Sequence, residues 1–165
     1  MLTNQQAMDK LNDILEMQKK RVAAMKAQAD FVDYDKLEPL ITGVCGGDGI
    51  GPVITKVAEG VLEALLAPMV QSGKVEFRTI DGLTIENRIA AGRAIPEDVL
   101  AALKECHIIL KGPTTTPDAS YTGPNIESAN VAMRRELDLF ANVRPVKVPA
   151  QGIDWTFFRE NTEGS

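Results

Sequence analysis

The stretch from Leu40 to Leu65 constrains this chain more than any other. An apolar run, Leu40 to Cys45, ends in Gly46-Gly47-Asp48-Gly49-Ile50-Gly51-Pro52, and an amphipathic pattern of Val53, Val57, Val61 and Leu65 follows. A short apolar run closed by a turn reads as a buried strand, and apolar residues spaced by four after it read as a helix. Joining the two through so many glycines lets a ligand come close to the backbone at a helix start, although a tight turn made for packing alone uses glycine in the same way. The spacing is not the G-x-G-x-x-G fingerprint of dinucleotide sites. A strand, a turn and a helix in that order begin an α/β unit.

The rest of the chain continues the alternation. Val75 to Ile80 is expected to be a second strand, followed by a helix around Ile85 to Ala91. Pro96 then suits a helix first turn, with Glu97 and Asp98 complementing the dipole, and that helix is expected to run to about Glu105. Cys106 to Leu110 reads as a third strand, ending in Lys111-Gly112-Pro113-Thr114-Thr115-Thr116-Pro117. Loops at the C-terminal ends of strands in α/β sheets are where ligands bind, and threonines there also serve simply as turn formers. His107, the only histidine, lies beside that strand without acidic or hydroxyl neighbours in sequence, which gives it a structural reading. Asp118 to Pro124 is polar and turn-rich, the composition of a flexible segment.

Residues 1–30 contain no Gly or Pro and are rich in Met, Gln, Lys, Ala and Leu, a strong helix composition. Met8, Leu11, Leu15, Val22 and Met25 recur at three-and-four spacing, with Gln18 at one expected apolar position and Ile14 and Met17 widening the stripe. Such a helix packs either on its own domain or on a partner subunit, and the stripe spans only about three heptads. The chain therefore divides into an amphipathic helix at 1–30, an acidic, turn-prone linker at 31–40 and an α/β domain at 41–165. A net charge of -5, with the basic residues scattered, gives no reason to expect nucleic acid or a membrane surface as partner. Cys45 and Cys106 have neither metal-site spacing nor a disulfide framework around them, so both read as free thiols buried in a reducing compartment. No apolar run approaches the length of a bilayer span, and the N-terminus lacks a secretory signal's apolar core. A cytoplasmic location is the expectation.

The densest chemistry lies between Asn125 and Arg144, in NIESANVAMRRELDLFANVR. If Ser128 begins the helix there, its hydroxyl and the free backbone N–H groups favour an anion. Asn130 and Arg134 are four apart and share a face. Arg144 precedes Pro145, which places it in extended backbone at the start of an expected strand. Arg159 ends the alternation Ile153, Trp155, Phe157, so a guanidinium takes a position where an apolar side chain is expected, and a buried charge needs a partner. Together these residues form a kit for binding carboxylates. A plainer reading pairs the arginines with Glu136, Asp138, Glu160 or Glu163.

Taken in order, GDGIGP, LKGPTTTP, SANVAMRRELDLFANVRP and FRENTEG resemble the β-decarboxylating dehydrogenases, the family of isocitrate, isopropylmalate and homoisocitrate dehydrogenases. The resemblance runs from about Ile41 to the last residue. It implies an α/β fold that is not a Rossmann fold, here the N-terminal portion of the isocitrate/isopropylmalate dehydrogenase-like fold with an added amphipathic helix. It also implies oxidation of a 2-hydroxy acid by NAD or NADP with Mg²⁺ or Mn²⁺, followed by loss of a β-carboxylate. Isocitrate enzymes carry Ser and Asn two apart with Arg four further on, as Ser128, Asn130 and Arg134 stand here, whereas isopropylmalate enzymes are apolar at the first positions. A third substrate carboxylate in an apolar pocket is left unsatisfied, so the difference makes chemical sense. By this resemblance Arg134, Arg144 and Arg159 bind substrate carboxylates, Ser128 and Asn130 hold the distal one, Thr116 lies between substrate and nicotinamide, and Ile50 touches the adenine side.

Departures from the family pattern bear on function. Val53 stands where the family has Glu after GDGIGP, and the Asp118 to Glu127 stretch is longer than in the bacterial enzymes. The family's catalytic tyrosine and lysine, its metal-binding aspartates and its main adenosine loop are not among residues 1–165. General acid, general base and metal are all needed for the enolate chemistry, so this chain alone is expected to be inactive. Three functions are compatible with these residues. The first is the N-terminal part of an NAD- or NADP-dependent isocitrate dehydrogenase, working with a complementary C-terminal chain or as a homo-oligomer. The second is a non-catalytic tricarboxylate-binding regulatory subunit, and the third is part of a homoisocitrate or isopropylmalate dehydrogenase.

Overall fold

In a computed structural model of the chain, residues 3–27, 32–117, 123 and 126–161 are described. The chain separates into two units, Met1–Lys36 and Leu37–Ser165. The first is the helix α1, Asn4–Ala27. It opens with a reciprocal cap: the Gln6 N–H donates to Thr3 Oγ1 at 3.2 Å and the Thr3 N–H donates to Gln6 Oε1 at 2.9 Å.

The second unit is built on a parallel sheet of β1 (Leu40–Cys45), β2 (Val75–Thr79) and β3 (Ile108–Lys111), in the order β2-β1-β3. Register is set by Thr42, which lies opposite Phe77 on one side and Ile108 on the other. The helix α2 (Gly51–Leu65) and the short α3 (Ala67–Gln71) connect β1 to β2. Between β2 and β3 lie α4 (Ile85–Ala91) and α5 (Glu97–Lys104). The Thr84 hydroxyl caps α4 by accepting from the Asn87 N–H at 3.4 Å, and Gly92 ends it at φ 62°. Because β2 and β3 flank β1 on opposite sides, the chain reverses direction across the sheet between β1 and β3. That is the position where α/β folds form ligand crevices.

The core gathers Cys45, Ile80, Leu83, Ile95, Val99 and Leu103 with Ala129, Ala132 and Met133 of α6, which spans Ala129–Glu136. After α6 the chain forms an antiparallel hairpin of β4 (Ala141–Val148) and β5 (Ile153–Glu160), a sheet separate from the first. Its apolar side chains are uncovered: Val143, Val146, Trp155, Phe157 and Phe158 are all exposed. A two-stranded ribbon has too little to bury by itself.

Four expectations are corrected. The third strand starts at Ile108 rather than Cys106, because the Cys106 N–H still closes α5 onto the Leu103 carbonyl. Arg144 is in the middle of its strand rather than at its start. Arg159 is exposed, so no buried charge seeks a partner there; the hairpin face that holds it is open. Cys45 is fully buried, but Cys106 is only partly so. A further finding is that α2 turns its polar side inward, with Gly51, Thr55 and Glu59 buried, while Val53, Val57, Val61 and Leu65 stand 54 to 73 % exposed. The reason is the close approach of backbone at the strand ends. A Cβ on Gly51 would strike the Gly46 carbonyl oxygen, and one on Gly112 would come within 2.6 Å of Thr55 Oγ1, so only small side chains fit on that side. His107 holds the structural place expected of it, its Nδ1 accepting the Ile41 N–H at 3.0 Å.

Candidate functional site

The loops leaving β1 and β3 are locked together. The Asp48 N–H donates to the Pro113 carbonyl at 2.8 Å, and Gly47, at φ 74°, sits so close that any Cβ would collide with the same oxygen. The Asp48 carboxylate then spans two segments, accepting the Ile85 N–H at 2.8 Å on Oδ1 and the Thr115 N–H at 2.7 Å on Oδ2. At the base of the loop, Lys111 Nζ donates to the Gly112 carbonyl at 2.6 Å and to Thr114 Oγ1 at 3.3 Å. Burial lowers the pKa of this half-buried lysine, the Arg88 charge lowers it further, and Cys45 and Asp48 oppose them.

Arg88 joins this loop to the carboxylate-binding helix. Its side chain is fully buried, and its guanidinium donates to three carbonyls: Ala94 at 2.8 Å, Thr115 at 2.7 Å and Glu127 at 2.8 Å. Burial lowers its pKa, and Asp48 opposes the shift. A charge with no carboxylate in direct contact is thus held by carbonyl dipoles from three separate segments, and those segments are fixed to one another. Thr115 is pinned through both backbone groups, whereas Thr116 beside it is exposed.

Ser128 stands at the N-cap of α6, as the sequence predicts, and its hydroxyl makes no capping bond. It is half-buried and available to a ligand. Asn130 is exposed and Arg134 half-buried on the side of α6 away from Ala129, Ala132 and Met133. The two adjacent arginines have different fates. Arg135 pairs with both oxygens of Glu127 at 2.9 Å, which holds that carboxyl below its ordinary pKa. Among the described residues Arg134 has no acidic partner.

On the hairpin, Arg144 lies opposite Phe157 and Arg159 opposite Asn142, so the two arginines project from the same face as diagonal neighbours. Arg144 Nε donates to Asn142 Oδ1 at 3.0 Å, and neither guanidinium has an acidic partner among the described residues. The plainer pairing expectation thus fails for Arg134, Arg144 and Arg159; the arginine that pairs, Arg135, reaches Glu127 and lies 3.9 Å from Glu136. Glu163, and the end of FRENTEG with it, lie outside the described residues, as does most of Asp118 to Pro124. Ile50 stands at the N-cap of α2, 66 % exposed.

The structure therefore orders the site residues in two groups: Ser128, Asn130 and Arg134 along α6, and Arg144 with Arg159 on the hairpin. A cleft of about 270 Å³ beside the β1 and β2 exits, lined by Gly46, Thr55, Glu59, Asp81 and Thr84, contains none of them. Among the described residues no group of three or more His, Cys, Asp or Glu is placed to hold a metal ion, so no metal-dependent step is assigned to this chain's side chains. Chemically the arrangement can bind and orient a multiply charged anion. Sequence reasoning missed Asp48 and Arg88 as organising groups. The signal for Arg88 was its place three residues after Ile85, on the side of α4 that faces the core.

Residues 41–165 match the family model described as isocitrate/isopropylmalate dehydrogenase. The isocitrate dehydrogenase [NADP] of Staphylococcus aureus is 39% identical over 137 residues, covering 76% of this chain and 31% of the relative. That of Caldococcus noboribetus is 38% identical over 134 residues, covering 75% and 30%. Among solved structures, the apo β-decarboxylating dehydrogenase of Thermococcus kodakarensis superposes with a TM-score of 0.59 at 32% identity, over 75% of this chain and 34% of that one. The chain spans about a third of the length of these relatives.

Proposed function

Because this chain belongs to the isocitrate/isopropylmalate dehydrogenase family, we propose that it is the substrate-carboxylate part of an NAD- or NADP-dependent isocitrate dehydrogenase. The observation that carries the reading is the sorting of charges around α6. Arg135 is already neutralised by Glu127, while Arg134, Arg144 and Arg159 keep guanidinium groups without acids beside a hydroxyl that caps nothing. Guanidinium forks match carboxylates in geometry as well as charge. Isocitrate has three carboxylates; the arginines take those near the reacting carbons, and Ser128 with Asn130 takes the distal one.

In that reaction the 2-hydroxyl is oxidised as hydride passes to the nicotinamide, and the β-carboxylate leaves as CO₂ to give 2-oxoglutarate. The residues of this chain bind and orient the substrate. The cofactor, for which the names of the relatives favour NADP, meets Thr116 and Ile50. Mg²⁺ or Mn²⁺ and the proton-transferring groups come from a complementary C-terminal chain, and the assembly works in the cytoplasm. A tricarboxylate-binding regulatory subunit is the second reading, favoured by the lack of any metal-ligand cluster among the described residues. Calorimetric titration of the assembled protein with isocitrate and with 3-isopropylmalate tests the site. Isocitrate is expected to bind more tightly, and Arg134→Ala to weaken it; equal affinity for the two ligands refutes the assignment.

A further inference from the structure

We propose that α1 pairs side by side and antiparallel with α1 of a second copy of this chain, forming a two-stranded coiled coil. α1 lies outside residues 41–165 that match the family, so the inference does not rest on the substrate reading. No residue of α1 is buried, and a helix with nothing to pack on is marginal in water. Met8, Leu11, Leu15, Gln18, Val22 and Met25 follow one another at alternating spacings of three and four, the seam of a heptad repeat. The five apolar members are 46 to 61 % exposed. Towards its C-terminal end the seam forms a groove lined by Leu15, Gln18, Val22 and Ala23, with Lys19 and Lys26 at its edges.

Charge selects the occupant and its direction. The N-terminal half carries Asp9, Asp13 and Glu16 against a single Lys10, while the C-terminal half carries Lys19, Lys20, Arg21 and Lys26 with no acid. A parallel partner would set Lys19, Arg21 and Lys26, which flank the seam, against one another, and like charges in those positions oppose pairing. An antiparallel second copy sets each acidic half against a basic half. With Leu15 opposite Gln18, Met8 meets Met25, Leu11 meets Val22 and Asp13 meets Lys20, a self-complementary arrangement about a twofold axis. The two Gln18 amides then come next to each other at the axis, where a polar seam residue fixes register. The same charge division also suits the helix's own dipole, which accounts for the charges but not for an uncovered apolar seam of this length.

The test mixes full chains carrying Met8→Cys with full chains carrying Met25→Cys under mild oxidation, and maps the covalent dimers by peptide mass. Links between positions 8 and 25 are expected in the mixture, at least tenfold above same-position links in either variant alone. Predominant same-position links, or no 8-to-25 links above the wild-type background, overturn the proposal. A second measurement uses charge reversal. Asp9→Lys/Asp13→Lys/Glu16→Lys and Lys19→Glu/Lys20→Glu/Lys26→Glu chains are each expected to self-associate at least tenfold more weakly in sedimentation, and to recover when mixed. Because none of these residues is buried, the fold of Leu37–Ser165 is left intact, which circular dichroism verifies. Association that is unchanged in both variants places the contact on another face and likewise overturns the proposal.

Discussion

Replacing Arg88 by Met keeps most of the side-chain volume and removes the one group that joins α4, the Thr115 loop and the entry to α6. Each lost bond from a charged donor is worth about 1.5–3 kcal/mol, so three bonds set an upper bound of about 9 kcal/mol. Removing a buried charge also removes its desolvation cost, of several kcal/mol. The three carbonyls, however, are left facing a thioether that cannot donate. The expected net loss is about 3–5 kcal/mol, the range for breaking a buried charged network. Urea unfolding of the chain followed by circular dichroism measures it, and hydrogen exchange locates it. Amides around Thr115 and at the start of α6 are expected to exchange fastest relative to wild type, while those of β1 and β2 change less. Arg88→Lys, a single ammonium without the fork, is expected to recover only part of the loss. A loss below about 1 kcal/mol, the ordinary range for surface changes, would show that Arg88 is not the tie between these segments.

Ser128→Leu in the assembled enzyme is expected to weaken isocitrate binding by about 1–3 kcal/mol while isopropylmalate suffers less, since only the former loses a partner for a charged group; equal losses would assign Ser128 to the helix alone. Gly112→Ala is expected to cost about 1–3 kcal/mol, because the new Cβ collides with the Gly46 carbonyl and Thr55 Oγ1; unfolding midpoints measure it, and an unchanged midpoint contradicts the locked-loop geometry. Burial pushes the Cys45 thiol from 9.0 up to about 11, so the thiol in the folded chain stays protonated where an unfolded one ionises. Stability linked to Cys45 is therefore fully present below about pH 9 and lost as pH rises through 11, and alkylation at pH 8 is expected to modify half-buried Cys106 well before Cys45. Modification of Cys45 at the rate of Cys106 contradicts the buried placement.

Punctuation made much of the fold legible. The first strand runs Leu40–Cys45 as read, because an apolar run is cut by glycine, and α4 and α5 begin at Thr84 and Pro96, where a hydroxyl and a proline mark helix starts. The α6 cap at Ser128 and the pairing of Asn130 with Arg134 followed from helical spacing alone. What stayed hidden depends on contacts across the fold. Periodicity shows that α2 has an apolar stripe but not which side faces the sheet, and here the close approach of Gly46 and Gly112 admits only Gly51 and Thr55. Arg134 and Arg135 are indistinguishable as neighbours in sequence; only the placement of Glu127 separates the paired one from the unpaired one. Arg88 satisfies itself with backbone carbonyls, which leave no trace in residue identity.

The account turns on this chain supplying the carboxylate-binding half of an isocitrate dehydrogenase and not its proton or metal chemistry. The most direct test is isocitrate-dependent reduction of NADP, with Mg²⁺ present, by the purified chain and by the chain combined with the C-terminal two thirds of a family member. No turnover is predicted from the chain alone, and turnover that Arg134→Ala or Arg144→Ala abolishes is predicted from the combination. Robust turnover by the 165-residue chain without a partner, or activity in the combination that survives loss of these arginines, would contradict it.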